Sequence, residues 1–286
     1  MTIRKVVIPA AGLGTRLRPA TRSQPKEMLP VARKPTIQYV VEEGVAAGLN
    51  AVLIITGARK RAIEDHFDRD HDADDDDGFG FAGGDAHFFY VRQNVQRGLA
   101  DAVALAEQFV GGEPFVVALG DTIIGSDGGP SLVSRLMEAH AATGAAATIA
   151  VEEVPLETVR RYGIVQPRVG EPVTGPMVLA GLIEKPEPAE APSTLAIASR
   201  YAFDPIIFEA IRAISPGKGG EYQLTDAIAW LITRGHKVVA VPLTAGEKRY
   251  DIGNFESYCK AFIEIALRDP ELAAPLRAHL DELLRA

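Results

Sequence analysis

Residues 10–30, "AAGLGTRLRPATRSQPKEMLP", gather groups suited to one chemistry, the holding of phosphate. Gly12 and Gly14 let backbone N–H groups approach an anion closely. Thr15 adds a hydroxyl, and Arg16, Arg18 and Lys26 add positive charge. Arg offers a planar fork to phosphate oxygens and Lys a compact charge. Two other glycine loops do not fit. A dinucleotide fingerprint needs a third glycine, where Leu17 stands here, and then a helix. Pro19, Pro25 and Pro30 forbid that helix. A Walker loop, G-x-x-x-x-G-K-[ST], is absent. On composition alone the segment is either a phosphate loop or a basic surface turn.

The preceding run, "IRKVVIP" (3–9), reads as a buried strand. It puts the loop at the carboxyl edge of a sheet, where open α/β folds bind ligands. Further strands are expected at 51–57, 87–93, 114–121, 145–154, 178–185, 194–203 and 237–243, with helices at 36–48, 59–67, 99–109, 204–211 and 224–235. The tail from Asn254 reads as helical, interrupted at Pro270, and Pro- and Gly-rich stretches fill 166–177 and 186–193. Strands alternating with helices imply a mixed, mostly parallel sheet flanked by helices. No repeat and no clear linker divides the chain. The expected organisation is one domain: a first half to about 130, a second half over about 131–253, and C-terminal helices over 254–286.

The chain has 286 residues, 47% hydrophobic and 24% charged, enough for a large core without staples. Its only cysteine, Cys259, excludes an internal disulfide and a Cys-based zinc site and fits a cytoplasmic setting. No apolar run reaches the ~18–20 residues that span a membrane, and the first residues lack a signal-peptide pattern. The net charge of −8 argues against general nucleic-acid binding but permits a local basic pocket. His71, His87, His140 and His236 show no metal spacing, and His66 is expected to pack or cap. Trp230 is expected in the core. The stretch "DRDHDADDDDG" (68–78) has no calcium-loop spacing and reads as a solvated loop.

At "GLGTRLRPATRSQPKEMLP" the chain resembles the sugar-1-phosphate nucleotidylyltransferases, with their G-x-G-T-R…P-K signature. More narrowly, "PKEMLPV" and "PTIQYVVEEGVAAG" resemble the bacterial UTP–glucose-1-phosphate uridylyltransferases. "RAIEDHF", "GLADAV", "YGIV", "IEKP", "YQLTDAI" and "KRYDIGN" follow in the order of that family, from residue 5 to about 268. The resemblance implies a Rossmann-like, GT-A-like nucleotidyltransferase fold. It also implies the reaction UTP + glucose 1-phosphate → UDP-glucose + pyrophosphate, with Mg²⁺, and a homodimer or homotetramer.

The resemblance also implies roles. Gly12, Gly14, Thr15 and Arg16 line the triphosphate, and Lys26 lies near the reacting centre. Glu27, the Ala11–Gly12 backbone, Gln93 and Gly98 meet the uracil. Asp121 and Asp251, each expected where a strand leaves the sheet, hold the metal. Gly163, Glu184, Lys185 and Glu221 meet the sugar and its phosphate. Gln223, Thr225 and Asp226 are expected to start a helix, with Thr225 or Asp226 as its cap. Two departures stand out. Ala100 and Asp101 replace the family's Gly-His, and Gly120 replaces an expected proline, as in thymidylyltransferases. The second leaves a glucose-1-phosphate thymidylyltransferase as a competing reading, and a non-catalytic nucleotide-sugar binder is a separate alternative, one that would be expected to have lost some of Arg16, Lys26, Asp121, Lys185 and Asp251.

Overall fold

The computed structural model describes residues 2–68, 86–171 and 174–285. The acidic stretch, apart from Asp68, and His71 lie outside the described residues. The chain starts with β1 (Lys5–Pro9), a loop, the short strands β2 (Pro30–Val31) and β3 (Lys34–Pro35), and helix α1 (Thr36–Ala46). Next come β4 (Ala51–Thr56), α2 (Arg61–Phe67), β5 (His87–Arg92), α3 (Leu99–Ala104), α4 (Glu107–Val110), β6 (Phe115–Ala118) and β7 (Thr122–Ser126). After α5 (Leu132–Thr143) follow β8 (Ala147–Glu153), β9 (Gly163–Pro167), β10 (Met177–Glu184) and β11 (Leu195–Phe203). The chain ends with α6 (Ile206–Ala213), α7 (Leu224–Thr233), β12 (Val238–Pro242), β13 (Glu247–Asp251), α8 (Phe255–Ala266) and α9 (Ala273–Arg285).

Nine strands form one sheet in the order β5-β4-β1-β6-β11-β8-β12-β10-β9. The pairings make β10 and β11 run against the other seven. The sheet is buried on both faces, so its central strands are almost continuously apolar. Alternation along each strand decides the face. Val7, Leu53, Ile55 and Val117 pack on one side against α3, α6 and α7. Val6, Ile8, Val52, Ile54 and Val116 pack on the other against α1 and α2. Helix α5 covers the second half of that other face, through Leu132 and Leu136.

Some elements differ from expectation. The helix expected at 99–109 is broken, because tighter bonds from Leu105 N–H to the Ala102 carbonyl and Ala106 N–H to the Val103 carbonyl separate α3 from α4. The helix α5 goes unread in the sequence although Ser131 caps it, accepting from Ser134 N–H. Trp230 is only half-buried, with the Arg234 guanidinium 5.1 Å over its ring. His66 packs edge-on against Phe67 and lies 3.0 Å from Gln38 Oε1. His140 is buried between Thr148 and Asp204.

Two features position the site. Strands β1, β4, β5 and β6 are parallel, so the segments that follow all emerge at one edge. A separate ribbon pairs β7 with β13, matching Asp251 to Thr122, the neighbour of Asp121. Ile252 N–H then donates to the Asp121 carbonyl at 3.0 Å. This ribbon unites two aspartates that are remote in sequence.

Candidate active site

The loop after β1 folds over Lys26. Gly14 adopts a left-handed φ of 62°, and its carbonyl accepts from the Thr21 hydroxyl at 2.7 Å. Leu17 is buried and anchors the loop, while Gly12, Thr15 and Arg16 stay exposed. Ala11, Gly12, Gly14, Thr15, Arg16, Lys26 and Glu27 line a cleft of about 550 Å³. The prolines act as expected: Pro25 leads into a single turn at Lys26–Met28 rather than a helix.

Charge alternates along the cleft floor. The Lys26 ammonium pairs with Asp121. Lys60 pairs with Glu27 at 2.6 Å, both of them buried. Burial alone would lower the pKa of Lys26, but the charges of Asp121, Glu27 and Asp251 raise it. Burial would raise Asp121, but Lys26 holds it below its ordinary value. Burial raises Glu27 despite Lys60 and Lys26. Asp251 is raised by burial and then by Asp121, against Arg249, Lys26 and Arg16. Asp121 and Asp251 therefore face one space as like charges.

One wall comes from Gln93, Gly98 and Glu221. Gln93 is buried, and its Nε2 donates to Asp101 Oδ2 at 2.7 Å. Asp101, the residue without an expected place, is held by Gln93 and by Arg97, also at 2.7 Å. Gly98 has φ 119°, and a Cβ there would lie 2.5 Å from the Tyr222 carbonyl oxygen. Only glycine fits this crossing. Glu221 stands on this cleft rather than beside the other sugar candidates.

A second cleft, of about 280 Å³, shares Leu99, Leu119, Asp121 and Asp251 with the first. Gly163, Glu184 and Lys185 line it. Glu184 accepts from the Thr225 hydroxyl at 2.6 Å and from Lys185 at 2.8 Å. Lys185 holds a left-handed φ of 48°, a strained conformation typical of functional positions. A Cβ on Gly163 would meet Ile197 Cδ1 at 2.8 Å and Thr225 Oγ1 at 3.0 Å.

Several residues here escape the sequence reading. Thr225 does not cap α7, which starts after Gln223 with no side-chain cap; it fixes Glu184 instead. Gln223 lines the second cleft. Arg249 pairs with Glu152 and lies 4.6 Å over the Tyr162 ring. Its sequence signal is a position two residues before Asp251 on the same face of β13. Gly120, the departure toward thymidylyltransferases, packs against β1, and its N–H donates to the Pro9 carbonyl at 3.3 Å. A proline could not make that bond.

A family model described as nucleotidyl transferase matches residues 5–267. The UTP–glucose-1-phosphate uridylyltransferase of Staphylococcus epidermidis is 42% identical, over 98% of each chain. The crystal structure of a UDP-glucose pyrophosphorylase complexed with UDP-glucose superposes with a TM-score of 0.87 at 36% identity, covering 94% of this chain and 100% of that one. A UTP-bound UGPase from Acinetobacter baumannii gives 0.88 at 33% identity, covering 99% and 100%. With both clefts of the site lying inside the matched span, this chain belongs to the nucleotidyl transferase family, in its UTP–glucose-1-phosphate uridylyltransferase branch.

Proposed function

We propose that this chain transfers the uridylyl group of UTP to glucose 1-phosphate, giving UDP-glucose and pyrophosphate. The observation that carries this is the meeting of two clefts at Asp121 and Asp251. A reaction between two phosphorylated substrates needs such a junction, with the reacting atoms held close and their charge neutralised. The nucleotide lies in the first cleft, formed mainly by residues 1–130, and the sugar phosphate in the second, formed mainly by 131–253.

Gly12, Gly14, Thr15 and Arg16 hold the β- and γ-phosphates that leave as pyrophosphate. Lys26 stands beside the α-phosphate and offsets the charge that builds as the sugar phosphate oxygen attacks. Glu27, Gln93, Gly98 and the Ala11–Gly12 backbone meet the base. Glu184, fixed by Thr225, accepts from sugar hydroxyls, with Gly163 leaving room for the ring. Lys185 holds the sugar phosphate, and Glu221 reaches the sugar from the first cleft. Catalysis here is alignment and charge compensation, without a covalent enzyme intermediate.

Asp121 and Asp251 suit Mg²⁺: two like charges share one wall, and burial and then Asp121 push the pKa of Asp251 up. Among the described residues no group of three or more His, Cys, Asp or Glu could hold a metal. Two carboxylates, phosphate oxygens and waters complete the coordination that Mg²⁺ prefers. When bound, the ion supplies charge neutralisation at the α-phosphate.

Gly120 packs against β1 and is not among the residues lining the first cleft, so the choice between uridine and thymidine rests on the residues that do line it. We read the protein as cytoplasmic, in keeping with its single unpaired Cys259. No helix among the described residues is long and apolar enough to cross a membrane. A homodimer or homotetramer fits the exposed Phe255, Ile263 and Leu284 on α8 and α9. The test is pyrophosphate release across a matrix of nucleoside triphosphates and sugar 1-phosphates. UTP with glucose 1-phosphate should give the highest kcat/KM. A higher value with dTTP overturns the base assignment, and no release with any pair overturns the enzyme reading.

A further inference from the structure

Lys60 sits in an unusual place. It is 6% exposed, and lysine is almost never so buried unless it is paired. It occupies the cap position of α2, where the helix N-terminus repels a cation and a Ser, Thr, Asp or Asn would satisfy the free N–H groups. The residue before it, Arg59, holds a left-handed φ of 64°. Such conflicts between local preference and structure concentrate at functional positions.

What the turn achieves is a single contact. It aims the Lys60 ammonium at Glu27 Oε2, 2.6 Å away, beneath the first cleft. Glu27 is 1% exposed yet lines that cleft. The turn also touches the phosphate loop, since a Cβ on Gly57 would lie 3.1 Å from the Ala11 carbonyl oxygen. Of the charges opposing the effect of burial on Glu27, Lys60 is the largest, ahead of Lys26. Lys60 is thus the outer end of a row that continues through Glu27 and Lys26 to Asp121.

We propose that Lys60 is a positioning residue for nucleotide choice: it locks the Glu27 carboxylate in one orientation at the base end of the cleft. The proposal rests on the uridylyltransferase reading above. A carboxylate held by a buried ammonium presents a fixed acceptor to a base N–H, whereas a free one turns or takes up a proton. A purely structural pair would stabilise the fold and leave the choice of nucleotide unchanged.

The test compares Lys60→Met with the double variant Lys60→Met/Glu27→Gln, which removes both buried charges and keeps the fold if the single variant does not. Measured are kcat and KM for UTP and CTP, thermal midpoints, and UTP affinity by calorimetry. Lys60→Met should raise the KM for UTP about tenfold or more, the scale of one lost charge-assisted hydrogen bond, with a smaller change in kcat. The UTP/CTP ratio of kcat/KM should fall by a similar factor, because cytosine lacks the ring N–H that a fixed carboxylate would accept. The double variant should recover the thermal midpoint and not the ratio. A wild-type ratio and wild-type UTP affinity in Lys60→Met, or in the double variant should the single one not fold, overturn the proposal while leaving the enzyme reading intact. A wild-type chain that releases no pyrophosphate removes both.

Discussion

Arg200 offers the sharpest test of how the site is held. It is fully buried on β11, just past a bulge where Ser199 takes a φ of 62°. Its guanidinium makes four hydrogen bonds. Nε and Nη2 donate to Glu43 Oε2 at 2.9 and 2.7 Å, Nη2 also to the Thr122 carbonyl at 2.9 Å, and Nη1 to the Ser199 carbonyl at 3.1 Å. Thr122 follows Asp121, so this arginine ties α1 and β11 to the segment that carries a site carboxylate. Arg200→Leu leaves Glu43, whose side chain is 11% exposed, without its partner, which costs about 3–5 kcal/mol. Losing the bonds to two carbonyls adds about 1 kcal/mol each. The total, about 5–7 kcal/mol, is comparable to the whole stability of many proteins, about 5–15 kcal/mol. With a urea m-value of about 3 kcal/mol/M, the midpoint should fall by about 2 M. Arg200→Leu/Glu43→Leu removes the orphaned charge and should return to within about 1 M of wild type. Arg200→Lys keeps the charge but not the planar fork and should lie between. Urea unfolding followed by circular dichroism decides it. A single variant within 0.5 M, by the same estimate, or a double variant no better than the single, refutes the reasoning.

Four further outcomes are expected. Lys26→Ala should lower kcat about 10²-fold or more with unchanged circular dichroism, and near-normal turnover would remove its phosphate role. Asp251→Asn should raise the Mg²⁺ concentration for half-maximal rate far more than the KM for UTP, which a metal titration of the variant reads directly. Gly163→Ala places a Cβ 2.8 Å from Ile197 Cδ1 and 3.2 Å from Glu184 Oε2; it should raise the KM for glucose 1-phosphate about tenfold, as a displaced contact would, and spare that for UTP. Burial lowers the His66 pKa below its ordinary 6.5, so the unfolded chain binds the proton first as pH falls. Stability should therefore decline below about pH 6.5 and level off beneath the folded value, and His66→Gln should flatten that part of a plot of thermal midpoint against pH.

The parallel strands were legible because burial on both faces leaves runs such as "KVVIP" and "AVLIIT" with no polar interruption. The phosphate loop was legible because its prolines and glycines constrain the backbone locally. The ribbon β7–β13 was not. "EKRYD" alternates outside the main sheet, and its meaning depends on a partner over 100 residues away. Thr225 looked like a cap because a cap is a local device, whereas its bond to Glu184 joins two remote segments. Lys60 stood in "ARKRAIED", where a charge run reads as a solvated face. Asp101 had no reading until Gln93 and Arg97 flanked it. The Gly- and Pro-rich loop is legible because it acts through its own backbone, whereas β13, Thr225, Lys60 and Asp101 act through partners that only the fold supplies.

That distinction explains how a chain of net charge −8 can accommodate two phosphorylated substrates. Four of its site cations are not loose. Lys26 pairs with Asp121, Lys60 with Glu27, Lys185 with Glu184 and Arg249 with Glu152. A buried cation without a partner would be strongly destabilising, so the carboxylates make such a concentration of positive charge tolerable in the folded state. The same pairing limits how the residues can be read one at a time. Removing Lys26 also strands Asp121, and removing Lys60 also strands Glu27. On the proposed function, losing Lys26 combines a missing contact to substrate with an uncompensated Asp121, losing Lys60 frees Glu27 without removing any contact of its own to substrate, and the effects of paired residues will not add. On the proposed function, the unit on which the chemistry depends is therefore the charge row, joined at Asp121 to the second cleft, rather than any one member of it.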